Sequence, residues 1–138
     1  MGFELLPHTA DLKVTAWSST VEGCLAEAAR GLVSSFADVD GAEPERAVTF
    51  TCEPGPDAEL LVELLDEVIF VVDTEDAVPV RVSVARTGAG GLGGEFGVVR
   101  LDAVRVIGPA PKAVTRHGLS LGRTSATDAW RCEVVIDV

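Results

Sequence analysis

Tyrosine is absent from this chain, and histidine and methionine nearly so: 138 residues hold two His, one Met, five Phe and two Trp. An interior so poor in rings must be built from Val, Leu, Ala and Ile. His8 and His117 are too few for a histidine-rich zinc site. Cys24, Cys52 and Cys132 are odd in number, far apart and without a C-x-x-C. That spacing fits buried, reduced thiols rather than a disulfide frame or a zinc cluster. No apolar run reaches the length of a membrane span, and no basic segment leads into an apolar one at the start. The expectation is a cytoplasmic protein without a membrane. Basic residues are scarce as well: 11 Lys and Arg against 22 Asp and Glu give a net charge of −11. Such a chain is repelled by phosphate backbones, so direct nucleic-acid binding is not expected.

Several signatures of known chemistry are missing too. There is no G-K-[ST] of a P-loop and no G-x-S-x-G elbow. "GAGGLG" at 88–93 matches G-x-G-x-x-G in letters, but the strand-like "EFGVVRL" follows it where a helix would have to begin. It reads as a hairpin connection.

What is present is a core-forming pattern. A hydrophobic fraction of 47% is enough for a buried interior, and the length suits one domain, residues 1–138. "FELL" is a short strand; "LKVTAW" alternates Leu12, Val14 and Ala16 with Lys13, Thr15 and Trp17, as a half-buried strand does. Ser19 and Glu22 form a capping box ahead of a helix whose apolar face is Val21, Leu25, Ala28, Ala29, Leu32, Val33 and Phe36. "AVTFTCE" is a strand with Val48, Phe50 and Cys52 on one side, and Asp57 can cap a second helix. In that helix Leu60, Leu61, Leu64, Leu65, Val68, Ile69 and Val72 make a wide apolar stripe, with Glu59, Glu63, Asp66 and Glu67 on the solvated side. "VPVRVSVAR", "EFGVVRL", "KAVTRHGLSL" and "WRCEVVIDV" are strands, and in the third Lys112 shares the polar side with Arg116. Two main helices among several strands, in no strict βαβ repeat, predict an α+β fold, a mixed or antiparallel sheet packed with helices.

Charge is unevenly spread. Residues 1–98 carry 18 acids against five bases, whereas residues 99–138 carry four acids against six bases. The basic stretch is either a set of solvated strand charges or a small anion-seeking or docking face. Two carboxylates stand at opposite ends of the chain. Asp11 shares the parity of Lys13 and Thr15; Asp137 shares a strand face with Arg131, Glu133 and Val135. If these strands are neighbours, the aspartates converge, and the terminal carboxylate of Val138 adds a third set of oxygens. Such a trio is either a set of solvated surface charges or a cation site. As a site, its oxygen-only donors favour Ca²⁺, Mg²⁺ or Mn²⁺ over zinc.

"PHTADLKVTAW", "EAARGL", "DAELLVELLDEVIFVVDTE", "PKAVTRHGL" and the closing "VVIDV", in that order and over nearly the whole length, resemble the archease family. The resemblance implies a two-layer archease-like fold and an activator rather than an enzyme. Its partner would be an RtcB-type RNA ligase, which seals 2′,3′-cyclic phosphate or 3′-phosphate ends to 5′-hydroxyl ends in tRNA splicing and RNA repair. The activator would promote the ligase's guanylylation from GTP and its multiple turnover. By the same resemblance Asp11, Asp137 and Val138 match metal ligands, usually of Ca²⁺. Lys112 matches an activating lysine, and Glu59 or Glu63 is the nearest candidate for an implicated acid on the second helix. His8 and His117 match family positions too, with structural hydrogen-bonding roles expected of both, His8 bracing its loop. The chain departs from the pattern where "ELLDE" replaces a Trp-Leu-Asn, and in lacking an Arg-His pair before Lys112. Two other readings are a chaperone-like protein-binding module and a small metal-dependent hydrolase using Asp11 and Asp137.

Overall fold

The structure, a computed structural model, describes residues 1–7 and 11–138. His8 and the loop-bracing role expected of it lie outside the described residues. Strand β1 (Gly2–Pro7) pairs antiparallel with β2 (Asp11–Ser18); α1 (Val21–Phe36) follows, then the two-residue β3 (Ala37–Asp38). Next come β4 (Arg46–Cys52), α2 (Asp57–Glu75), β5 (Ala77–Arg86) and β6 (Leu92–Arg100). A 3₁₀ turn (Leu101–Ala103), the short β7 (Arg105–Val106), β8 (Ala113–Arg123) and β9 (Trp130–Asp137) complete the order.

The fold is α+β, as the pattern predicts, and the described strand pairs are antiparallel. They form three sheets rather than one: β1-β2-β9-β8, β4-β6-β5 and the small β3-β7 pair. Helix α1 packs on β1, β2 and β9 of the first sheet and on β5 of the second; α2 packs on β8 and on β4 and β5. Both helices therefore bury wide faces. The predicted apolar residues of α1 are all buried, and Leu61, Leu64, Leu65 and Val68 of α2 have no exposed surface. Each fully buried leucine of this kind is worth about 2–5 kcal/mol against alanine. Phe50 and Phe96 stack between β4 and β6 at 4.6 Å, and the three cysteines are buried and free, as expected.

Local signals were misplaced at both helix starts. The cap of α1 is Thr20, whose hydroxyl accepts from the Gly23 N–H at 3.0 Å, not Ser19. Glu22 leaves the capping box for Arg86, 3.3 Å away. Helix α2 has Pro56 at its N-cap with no side-chain bond, so Asp57 does not cap it but lies in the first turn, paired with Arg86. One arginine on β5 thus holds the starts of both helices, and helix-start carboxylates that face a cation gain more from it than from an amide.

"GAGGLG" is a hairpin connection, as read. The β5–β6 turn closes through Thr87 N–H to Gly91 C=O at 3.0 Å, and Gly90 takes φ +91°, which favours glycine. Gly94 answers a different need: a Cβ there would stand 1.9 Å from the Ser83 carbonyl.

Candidate functional site

Register explains the meeting of the two aspartates. In the β2–β9 pair, Leu12, Val14 and Ala16 face Ile136, Val134 and Cys132 and turn inward. The alternate rungs of the ladder then share the outer face: Trp17 with Arg131, Thr15 with Glu133, Lys13 with Val135 and Asp11 with Asp137. Directly opposed residues on one sheet face have Cβ atoms about 4.5–5.5 Å apart. Two carboxylates on one rung repel, and an arriving cation converts that repulsion into attraction. Asp11 is half-buried and Asp137 exposed. On the other side of β9, Asp137 pairs with Ala113, and its carbonyl accepts from the Lys112 N–H at 2.8 Å. Val138 follows immediately, partly buried against the core.

Among the described residues no group of three or more His, Cys, Asp or Glu side chains is arranged to hold a metal. A site here would consist of the two carboxylate side chains of Asp11 and Asp137. That oxygen-only set, open on the Asp137 side, fits a hard divalent cation that keeps several waters, and does not fit zinc.

Lys112 lies beside this rung, one residue before β8 begins at Ala113, and a large bulge opens at Arg116. Thr115 pairs with Val135 and Ser120 with Glu133, so residues 116–119 stand opposite Val134 alone. Gly118 at φ +71° lets the chain turn there. His117 sits exposed on the bulge, and its imidazole makes no hydrogen bond among the described residues, where a structural one is expected.

The bulge also brings Arg116 to α2. Its Nε donates to Glu59 Oε1 at 2.9 Å and Oε2 at 3.2 Å, and its Nη2 to Oε2 at 2.9 Å. These bonds hold the Glu59 carboxyl below its ordinary range and the Arg116 guanidinium above its own. Glu59 is therefore a tie between α2 and β8 rather than a free acid. Glu63 has a different setting: with Asp66, Glu67 and Glu53 it lines an open pocket of about 320 Å³ beside Cys52. Burial, then Glu63 and Glu67, push the Cys52 thiol up to about 11. Glu67 is raised by burial and by Asp66 and Glu63; Asp66 is raised by burial, with Arg116 opposing. These acids do not form one evenly solvated face. Arg116 and Arg86 escaped the sequence reading because their partners are 29–64 residues away. The only hint was an arginine at an exposed strand position in a chain with twice as many acids as bases.

A pair of helices held against antiparallel sheets, with the first long strand laid beside the last so that an aspartate from each shares a rung, defines the class. It is the archease architecture, and the chain belongs to the archease family: the pattern of the archease protein family (MTH1598/TM1083) matches residues 3–138. The chain is 34% identical over 137 residues to a probable protein archease of Mycobacterium tuberculosis, covering 99% of this chain and 75% of that one. It is 29% identical over 141 residues to protein archease of Archaeoglobus fulgidus, covering both chains completely. The solution structure of Methanobacterium thermoautotrophicum protein 1598 superposes with a TM-score of 0.73 at 25% identity over 99% of each chain. The crystal structure of an archease, possible chaperone, from Thermotoga maritima has the same fold, with a TM-score of 0.70 at 21% identity over 96% of this chain and 94% of that one. None of these relatives carries an enzyme's name. No helix among the described residues is long and apolar enough to cross a membrane.

Proposed function

We propose that this chain is a cytoplasmic activator of an RtcB-type RNA ligase, promoting guanylylation of the ligase from GTP and its repeated turnover in tRNA splicing or RNA repair. The observation that carries this reading is the Asp11–Asp137 rung with Lys112 bonded to its edge, in a chain of the archease family. Asp11, Asp137 and, where the chain ends at Val138, its terminal carboxylate would hold one divalent cation, Ca²⁺ by the family resemblance and Mg²⁺ or Mn²⁺ by the same oxygen chemistry. When bound, that ion supplies positive charge for phosphate oxygens.

The remaining work falls to the chain's own groups. Lys112 is exposed, and its backbone bond to Asp137 fixes where the side chain starts. Its ammonium would meet phosphate charge that grows during guanylyl transfer in the ligase. Arg116 and Glu59 hold the bulge that follows Lys112 onto α2, so Glu59 acts by position. Glu63 stays available as an acid toward a partner. A small acidic protein suits this task, because it approaches a ligase's cation and nucleotide centre without competing for RNA.

The test is formation of the ligase guanylate from GTP, with and without this protein, using the cognate purified ligase. Substoichiometric protein should raise both the rate and the number of ligation turnovers. Lys112→Ala should keep the fold and lose most of the stimulation, on the order of tenfold or more. Unchanged turnover with wild-type protein would reject the reading. A second reading, a chaperone-like module, draws on the exposed Phe70, Val106 and Ile107 and on the Thermotoga relative described as a possible chaperone. It predicts suppression of aggregation in unrelated clients with no ligase present.

A further inference from the structure

Two open grooves adjoin at the other end of the four-stranded sheet, away from the carboxylate rung, where residues of both faces reach the β8–β9 turn. The larger, about 490 Å³, is lined by Trp17 and Trp130 with Glu4 and Ala129. The smaller, about 290 Å³, runs past Ser120, Arg123, Arg131 and Glu133. Thr124 and Arg131 belong to both, so an apolar groove opens directly into one that holds two guanidinium groups.

Sequence and register build this arrangement. Trp17 and Arg131 share a rung, with Gly122 next to Arg131 on β8. On the other side Gly2 faces Trp17, and a Cβ at Gly2 would come 2.7 Å from the indole, so the glycine leaves the ring its place against the sheet. The β8–β9 turn forms a wall held by its own bonds: Thr124 N–H to Ala129 C=O at 2.8 Å, Asp128 N–H to Thr124 C=O at 3.0 Å, and the Thr124 and Thr127 hydroxyls 2.6 Å apart. The guanidinia keep donors to spare. Arg131 approaches Glu133 at only 3.6 Å, and Arg123 pairs with the exposed Asp128. Exposed pairs of this kind rearrange at little cost. Glu4 is exposed and makes no ion pair among the described residues.

We propose that the joined grooves bind a single nucleotide, with its base against Trp17 and Trp130, its phosphate at Arg123 and Arg131, and guanine preferred through the carboxylate of Glu4. Indole faces stack on any nucleobase, and a guanidinium meets a phosphate through two parallel bonds. Guanine places two N–H donors side by side on its pairing edge, which match one carboxylate. Adenine places a ring acceptor there, which the carboxylate repels. The basic tilt of residues 99–138 thereby gains a use, since Arg123 and Arg131 both come from it. A polynucleotide would lay further phosphates along a chain of net charge −11, whereas one phosphate needs only the local pair.

The isolated protein is enough for the test, so its outcome is independent of the ligase reading. Trp17 and Trp130 are the only tryptophans and there is no tyrosine, so intrinsic fluorescence reports the groove directly. Titration with GMP, corrected for absorption, should quench saturably, with AMP weaker by roughly fivefold or more and ribose 5-phosphate without effect. Arg131→Ala should weaken GMP by roughly fivefold or more. Glu4→Gln should bring GMP and AMP to similar affinity. Circular dichroism checks that each variant folds. Quenching that never saturates, or that is the same in wild type and both variants, overturns the site. Equal affinity for GMP and AMP in wild type overturns the role of Glu4. Tighter binding of a short single-stranded oligonucleotide than of GMP overturns the assignment to a single nucleotide.

Discussion

Along one face of the four-stranded sheet, two rungs stand six residues apart on β2, about 20 Å at the usual rise. On one, Asp11 meets Asp137; on the other, Trp17 meets Arg131. The carboxylate rung is held at the core side by Leu12 and Ile136, and the aromatic rung by Ala16 and Cys132. Identical backbone and a continuous core support opposite chemistries, two carboxylates on one rung and an indole beside a guanidinium on the other. The inner residues fix the sheet, which leaves the outer residues free to differ.

The sharpest way to break this contrast is Asp137→Lys, which turns the like-charge rung into an ion pair with Asp11. Function and stability should move in opposite directions. Stimulation of the ligase should fall on the order of a hundredfold, while unfolding free energy in urea rises by about 0.2–1 kcal/mol, the range for opposed charges across a ladder. Loss of both would mean that Asp137 is simply a structural residue. A milder change, Asp11→Asn, keeps the shape and removes one charge. Ca²⁺ or Mn²⁺ binding followed by calorimetry should weaken roughly tenfold, and tryptophan fluorescence at the far rung should not change. Where the chain ends at Val138, extending it should weaken binding in the same sense, because a carboxylate becomes an amide carbonyl.

The smallest effect belongs to the crowded acids of α2. Asp66 and Glu67 are raised above their ordinary 3.8 and 4.5, so their charged forms are the disfavoured ones in the folded state. Their contribution to stability is present below the unfolded values and lost as pH rises through the folded ones. Glu59, lowered by Arg116, runs the other way: its contribution is present above 4.5 and lost as pH falls through its folded value. Glu67→Gln should therefore stabilise the protein at pH 7 by a few tenths of a kcal/mol, and the gain should vanish as the pH drops below about 4. An equal gain at pH 3 and pH 7 would show that packing, not charge, is responsible.

Period-two and helical patterns carried the elements, their inward faces and the meeting of Asp11 with Asp137, because each depends on residues close in sequence or on strand parity. Parity failed where β8 bulges, since three extra residues break the relation between the two halves of β8, Ala113–Thr115 and Ser120–Arg123. The helix starts failed for a different reason. Thr20 and Ser19 are both good caps, and only the distant Arg86 decides where Glu22 and Asp57 point. The β3–β7 pair was invisible because two residues per strand carry no period. The aromatic groove needed Gly2, Trp17 and Trp130 brought together from three strands, which no local pattern encodes.

Strand β8 lies at the border of its sheet, with no strand beyond it among the described residues. Eleven residues of regular border would offer a row of unused amide and carbonyl groups to any second copy, a route to runaway association. The kink at residues 116–119 cuts that row into two short lengths, each anchored to β9 on its own. The same stretch packs Leu119 against the core and ties Arg116 to Glu59 of α2, so it interrupts the border while holding the strand in place. Removing residues 116–118 would set Leu119 opposite Val134 and straighten the border; the shortened chain loses the Arg116–Glu59 tie and should form filaments or dimers through β8.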